Sequence, residues 1–241
     1  MSLRPPQPLD RAALLDRLTK HRMLRLVARR DLEHLIAFAQ PRVLAARTRL
    51  FATGDEGRAL YVVLSGWIKI SREGPIGRDL VLEVAGAGTL FGELAVICNL
   101  PRAADATALT ATRLLAIDGR ALLAVLRQNP DAVLELVRML GERLSRTTAQ
   151  MEDTLFLPAE ARLARALARL AALDPQPSGE TLTIDLGLSQ RELGELTGLS
   201  RESINKQLSV WRDIGLVGLH GRTLTLIDGA ALSEIGESVE F

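Results

Sequence analysis

Between residues 133 and 154 the side chains Val133, Val137, Leu140, Leu144, Thr147, Met151 and Thr154 recur at alternating steps of four and three. That spacing puts one stripe on one side of an α-helix, the seam of a helix that lies along a partner helix. Two seam positions carry threonine, where an apolar side chain packs better and a polar one sets register. The seam separates a segment before it from a segment after it, and the two differ in texture.

The preceding segment starts with a proline-rich stretch, Pro5-Pro6-Gln7-Pro8, and then reads as helix over residues 10–40. Leu14, Leu15, Leu18, Leu24, Val27, Leu32, Leu35, Ile36 and Phe38 carry the apolar pattern. Pro41 ends it, since proline has no N–H to give a helix interior. From Val43 to Ile117, short apolar runs such as Leu60-Tyr61-Val62-Val63-Leu64 and Trp67-Ile68-Lys69-Ile70 alternate with glycine turns. This predicts a small sandwich or barrel. After the seam, Pro158 suits the start of another helix with the stripe Leu163, Leu167 and Leu170. The stretch Asp174-Pro-Gln-Pro-Ser-Gly179 reads as a loop, and a compact α/β tail follows.

The bulk numbers exclude several classes. A chain of 241 residues fits one large domain or two ordinary ones. With 47% hydrophobic and 24% charged residues it has the makings of a core and is not disordered overall. The net charge of +1 creates no global field that demands a polyanion. The single cysteine, Cys98, forms no internal disulfide and no multi-cysteine metal site, and is expected as a small buried hydrophobe. His21, His34 and His220 lack metal-ligand spacing and are expected as ordinary surface or interface residues. No nucleophile–base pair suggests an enzyme. No run reaches the ~18 apolar residues of a membrane span, and the N-terminus lacks the apolar core of a signal peptide. A cytoplasmic protein without a membrane partner is the expectation.

The chemically informative stretch is Phe91-Gly92-Glu93-Leu94-Ala95-Val96-Ile97-Cys98-Asn99-Leu100-Pro101-Arg102-Ala103-Ala104. Glu93 to Ile97 has room for one short helical turn inside the β region. A glycine before such a turn lets backbone N–H groups face an anion. An arginine shortly after offers a planar fork that matches phosphate. A carboxylate accepts from a sugar hydroxyl, and small residues after the arginine allow a close backbone approach. The set suits a phosphorylated sugar. The Gly86-x-Gly88-x-x-x-Gly92 run is a poor dinucleotide fingerprint, one residue too long and without βαβ context.

Phe-Gly-Glu-Leu-Ala followed by Pro-Arg-Ala-Ala resembles the phosphate-binding cassette of cyclic-nucleotide-binding domains. Gly54-Asp55-x-Gly57-x-x-Leu60-Tyr61-x-Val63-x-x-Gly66 is similar to the turn and strand that precede it there. The resemblance implies that Glu93 binds the ribose 2′-hydroxyl and Arg102 the cyclic phosphate, with backbone contacts from Gly92, Leu94 and Ala103. Alanine at position 103 implies cAMP as the allosteric effector ahead of cGMP. Leu144-Ser145-Arg146-Thr147-Thr148 resembles the segment with which cAMP-responsive members of the Crp/Fnr superfamily touch adenine, which implies that Thr147 and Thr148 contact the ligand.

The tail carries its own pattern. Ser189-Gln190-Arg191-Glu192 has the spacing of a capping box. Gly198 ends the helix it opens, and Ser200 caps the next. That second helix buries Ile204, Leu208 and Trp211 and shows Arg201, Glu202, Asn205, Lys206, Ser209 and Arg212 on its other face. Helix, glycine turn and helix form a helix-turn-helix, whose second helix enters the major groove. Residues 218–227 read as a hairpin wing. Arginine pairs bidentately with guanine, and glutamate accepts from cytosine. Leu199-Ser200-Arg201-Glu202-Ser203-Ile204 resembles the recognition helix of the Crp/Fnr superfamily. By that resemblance Arg201, Glu202 and Lys206 read bases, Lys206 standing where a second arginine is expected. Gln190, Arg191, Ser200, Ser203 and Arg222 are candidates for phosphate contacts. Against this, residues 157–241 hold eight Arg and Lys against twelve Asp and Glu, a net of −4, whereas DNA-binding domains are usually basic. The acids are therefore expected away from the groove.

The expected fold is α+β: an N-terminal β-roll or barrel that binds a cyclic nucleotide (residues 10–130), a long dimerisation helix (131–156) and a C-terminal winged helix-turn-helix (157–241). The expected partners are double-stranded DNA, a cyclic nucleotide, a second copy of the chain and RNA polymerase. In the expected mechanism ligand binding alters helix packing and the change runs through Leu155–Pro158. Two alternatives are a regulator of the same fold that responds to another ligand or to none, and a nucleotide module that gates a protein partner.

Overall fold

The computed structural model describes residues 11–74, 77, 79–173, 177–178, 181–221 and 223–237. The chain divides into two compact units, Met1–Lys69 with Ala85–Arg143 and Ile70–Val84 with Leu144–Phe241. Each is built by its own apolar pattern.

The first unit begins with helix α1 (Arg11–Thr19), a 3-10 turn (Leu24–Leu26) and helix α2 (Arg29–Phe38). Strand β1 (Gln40–Leu44) follows at once, so proline at 41 stands in a strand and not in a helix. Strands β2 (Arg49–Phe51), β3 (Ala59–Ser65), β4 (Ile68–Glu73), β5 (Asp79–Ala85) and β6 (Leu90–Phe91) lead to the one-turn helix α3 (Glu93–Ile97). Strands β7 (Asp105–Ala108) and β8 (Thr112–Asp118), helix α4 (Gly119–Gln128) and helix α5 (Pro130–Phe156) complete the sequence of elements up to the tail.

In the first unit one sheet has the order β1-β8-β3-β6, and β2 pairs antiparallel with β7. The β3–β8 register sets Leu60 opposite Ile117 and Val62 opposite Leu115, and all four are buried. Alternation along a strand sends them to one face, which α1, α2, α4 and the start of α5 cover. The resulting core joins Leu14, Leu18, Leu24, Leu32, Leu35, Leu122 and Leu136 to those strand residues. Helix α4 starts cleanly because the Asp118 side chain accepts from the Arg120 and Ala121 amides.

In the second unit, β4 and β5 are neighbours in a sheet. Helix α6 (Ala159–Ala171) buries Leu163, Leu167 and Leu170, as its stripe predicts. Strands β9 (Pro177–Ser178) and β10 (Thr181–Ile184), helices α7 (Gln190–Thr197) and α8 (Arg201–Asp213), strands β11 (Val217–His220) and β12 (Thr223–Leu226) and helix α9 (Gly229–Glu237) complete it. The sheet order is β11-β12-β10-β9, with β11 and β12 forming the wing hairpin. The architecture is α+β: a β-roll effector domain, a long helix and a winged helix-turn-helix.

Two expectations need correction. Cys98 is exposed, because it stands at the C-cap of α3 in an exposed run that continues through Asn99, Leu100 and Pro101. His21 is buried, because it closes the end of α1: its Nδ1 accepts from the Met23 and Leu24 amides at 3.3 and 3.4 Å.

Candidate functional site

The site in the first unit is assembled by backbone before any side chain acts. The amide of Gly54 donates to the Arg102 carbonyl (2.9 Å), and the Arg102 amide donates to the Asp55 carbonyl (2.8 Å). Asp55 turns its own loop by accepting from the Ala52 amide at 2.8 Å. The glycine-rich turn thus holds the segment that carries Arg102. On the other side, β6 delivers the chain to Gly92, whose φ of +77° allows the abrupt entry into α3. A Cβ at Gly92 would stand 2.7 Å from Arg102 Nη1, so the position is restricted by space as well as by conformation.

Arg102 is buried. Its Nη1 donates to the Gly92 carbonyl (2.8 Å) and its Nη2 to the Ala59 carbonyl (2.6 Å). Phe51, Tyr61 and Phe91, three of the eight Phe, Tyr and Trp residues in the chain, cluster beside it. The guanidinium carbon lies 4.3 Å from the Phe51 ring centroid, a cation–π geometry. Desolvation pushes the Arg102 pKa down from the ordinary arginine value. The group nevertheless remains a cation at neutral pH.

Glu93 is also buried, but its partner is not Arg102. Arg143 of α5 reaches back, with Nη1 donating to Glu93 Oε1 (2.6 Å) and Nη2 to the Leu90 carbonyl (3.1 Å). Among the buried polar atoms with no hydrogen-bond partner among the described residues are Glu93 Oε2, an acceptor, and Arg102 Nε, a donor. Buried polar groups are nearly always paired, so each such atom asks for an explanation.

The structure thus brings Gly92, Glu93 and Arg102 together. Leu94 and Ala103 flank them, with exposed side chains. Thr147 and Thr148 lie on α5 one helical turn beyond Arg143, half-buried and exposed respectively. Sequence reasoning missed Phe51 and Arg143. The signal for Phe51 was the scarcity of aromatics, at 3% of residues. Arg143 is separated from Glu93 by fifty positions, and no local pattern links them.

In the second unit the capping box is present in full: Ser189 accepts from the Glu192 amide, and the Glu192 side chain accepts from the Ser189 amide. Gly198 ends α7 at a φ of +69°. The Ser200 hydroxyl caps α8 by accepting from the Ser203 amide at 3.0 Å. Ile204, Leu208 and Trp211 are buried, which leaves Arg201, Glu202, Asn205, Lys206 and Arg212 exposed on the opposite face. No ion pair ties Glu202 to Lys206 among the described residues. Gln190 is half-buried, and Arg191 is exposed but engaged, with Nε donating to Glu195 (2.8 Å) and Nη2 to the Gly77 carbonyl (3.0 Å). Arg222 lies outside the described residues.

The acid excess is partly absorbed within the unit. Glu192 closes the capping box, Glu195 pairs with Arg191, and Asp213 pairs with Arg212. No group among the described residues could hold a metal ion, and no described helix is long and apolar enough to cross a membrane.

Family models match in both units: a cyclic nucleotide-binding domain over residues 41–129 and a Crp-like helix-turn-helix domain over residues 161–235. A CRP-like cAMP-activated global transcriptional regulator of Mycobacterium tuberculosis is 34% identical over 76% of this chain and 82% of its own. The cyclic AMP receptor protein of Thermus thermophilus is 30% identical over 87% of this chain and 94% of its own. Among solved structures, a CRP-family transcriptional regulator from Thermus thermophilus has a TM-score of 0.69 at 26% identity, covering 83% of this chain and 98% of that one. The c-di-GMP responsive global regulator CLP of Xanthomonas campestris has a TM-score of 0.70 at 27% identity, covering 83% of this chain and all of that one (100%). A cassette built on Gly92, Glu93 and Arg102, a capped helix-turn-helix and these relatives agree: the chain belongs to the Crp/Fnr superfamily of CRP-like transcription regulators.

Proposed function

We propose that this regulator responds to cAMP and binds palindromic DNA as a homodimer. The division of labour is an effector domain at 10–130, a dimerisation helix at 131–156 and a DNA-binding domain at 157–241. The observation that carries the ligand reading is the pair of buried, unpartnered atoms beside Gly92. A ribose hydroxyl donates to Glu93 Oε2, and a phosphate oxygen accepts from Arg102 Nε. A cyclic nucleotide presents both groups on one face of a rigid ring system. The α3 turn at Gly92 and Leu94 and the backbone at Ala103 close around the phosphate.

The second copy is supported by the seam of α5. Ala132 and Leu136 face the core of the first unit, while Val137, Leu144 and Met151 are 60–68% exposed. An apolar stripe of that length, left uncovered by its own chain, fits an equivalent helix. Thr147 and Thr148 stand on the same helix and supply hydroxyls that accept from and donate to adenine. Ligand contact at these positions biases the pairing of two helices, a two-state element driven by differential affinity. The recognition helices then meet half-sites about one DNA turn apart. Arg201, Glu202 and Lys206 read bases, while Gln190, Arg191, Ser200, Ser203 and Arg222 position the phosphates. RNA polymerase is the proposed downstream partner, and the compartment is the cytoplasm.

Calorimetry of the purified protein with cAMP, cGMP and cyclic di-GMP tests the ligand. Saturable heat with cAMP, weaker with cGMP, is expected. No heat and no thermal shift with cAMP would sink the cAMP reading. The likeness to a regulator described as responsive to c-di-GMP favours one rival, a protein of the same fold with a different effector. Heat with cyclic di-GMP alone would establish that rival.

A further inference from the structure

The passage from α5 to α6 was expected to act through Leu155–Pro158 as a connecting segment. The side chains there do little to hold it: Leu155 and Phe156 are 72% and 73% exposed. The junction is held instead by a buried carboxylate. Asp153, in the last turn of α5, is 4% exposed and accepts from two arginines of α6. Arg165 Nη1 lies 2.8 Å from Oδ1, and Arg169 Nη1 lies 2.6 Å from Oδ2. The two arginines are four residues apart and so share one face of α6. Arg165 also donates from Nε to the Gly236 carbonyl at 2.6 Å, which ties α9 into the same cluster.

A second link runs from the next residue. The Thr154 carbonyl faces Arg162 Nη1 at 3.4 Å, and the Thr154 methyl lies over Gly198, where a Cβ would stand 3.5 Å from it. Gly198 is the left-handed residue of the helix-turn-helix turn. The end of α5 is thus bonded across the junction to α6, which Arg165 ties in turn to α9, and is packed against the turn between α7 and α8.

We propose that Asp153, clamped between Arg165 and Arg169, is a strut that makes the last turn of α5 and the winged helix-turn-helix one body, so that the recognition helix follows the rotation of α5. A buried carboxylate is costly unless its charge is matched. Two guanidinium donors on separate oxygens match it and leave it one position. Asp153 is not among the residues assigned above to nucleotide or DNA. It is a positioning residue, and the coupling it carries rests on the cAMP reading above.

The experiment uses full-length protein and two variants, Asp153→Asn and Arg169→Gln. The first keeps the shape and removes the charge; the second removes one donor and leaves Arg165 paired. Hydrogen–deuterium exchange of the peptide spanning 155–162 reads the strut without any ligand. Loss of a charge-assisted bond is expected to speed exchange there roughly tenfold in Asp153→Asn, and by a smaller factor in Arg169→Gln. Unchanged exchange in both variants refutes the strut.

Anisotropy of labelled operator DNA, with and without cAMP, reads the consequence. The factor by which cAMP tightens DNA binding is expected to fall toward one in Asp153→Asn, with cAMP affinity in the absence of DNA preserved. A variant with faster exchange and an undiminished cAMP effect overturns the coupling role. If the unmodified protein shows no cAMP effect, the effector reading fails, while the exchange result still decides the strut.

Discussion

Arg102 has a structural role beside the ligand contact proposed for it, and that changes what its removal does. The resemblance to the nucleotide cassette treats it as a ligand contact. In the structure it also donates to the Gly92 and Ala59 carbonyls. Arg102→Ala is therefore expected to abolish cAMP binding and also to lower stability, since two part-buried carbonyls lose their donors, each at a cost of up to about 1–3 kcal/mol. Calorimetry and thermal denaturation of the same variant check the two effects. His21 yields a second prediction at this scale. Burial, aided by the adjacent Arg22 charge and opposed by Glu135, pushes its pKa down to about 4 from an unfolded value of 6.5. Between those values the unfolded chain binds the proton and the folded chain does not. This contribution is intact above the unfolded value and is lost as pH falls toward 4. The loss from pH 7 to 5 is about 2 kcal/mol by linkage. His21→Gln keeps an acceptor but does not titrate there, so denaturant unfolding at both pH values should show a smaller loss in the variant. An equal loss would remove His21 from the pH response.

At the scale of elements, α5 matters most, because its faces serve different partners. One face carries Ala132 and Leu136 into the core of the first unit. Arg143 points to Glu93, and Asp153 to α6. The exposed seam is what remains. A charge in that seam is buried without a partner when two helices meet, which costs several kcal/mol. Leu144→Asp is therefore expected to convert a dimer to a monomer at micromolar concentration. Sedimentation analysis reads the change, and a dimer that survives would place the interface elsewhere. In the monomer Leu144 is 68% exposed, so the substitution is expected to leave the secondary structure in place.

At the scale of the whole molecule, the proposed reading of DNA has few cations to rest on. The recognition face shows Arg201, Lys206 and Arg212, in a tail whose net charge is −4. Specificity then depends on directed contacts more than on a basic field. Glu202→Ala is expected to relax base preference at one position of the half-site, by about 1–3 kcal/mol of discrimination. Overall affinity is expected to change less. Selection from a randomised operator library checks this, and a uniform loss with unchanged preference would make Glu202 a positioning residue.

The residue pattern by itself determined the long helix, the two helices of the helix-turn-helix, the glycine turns, the capping box and the two binding motifs. Those features rest on interactions within a few residues: the step of four and three, a serine three positions before a glutamate, a glycine where φ is positive. Gly92, Ser189 and Gly198 were legible for that reason. Tertiary structure alone decided what each charge faces. Glu93 pairs with Arg143 across fifty positions, Arg102 rests on Phe51 and on two carbonyls, and Asp153 holds α6. It also turned Cys98 outward and His21 inward. The partner of a charge depends on which elements the core brings side by side. That is settled by packing between distant segments, and no local spacing records it.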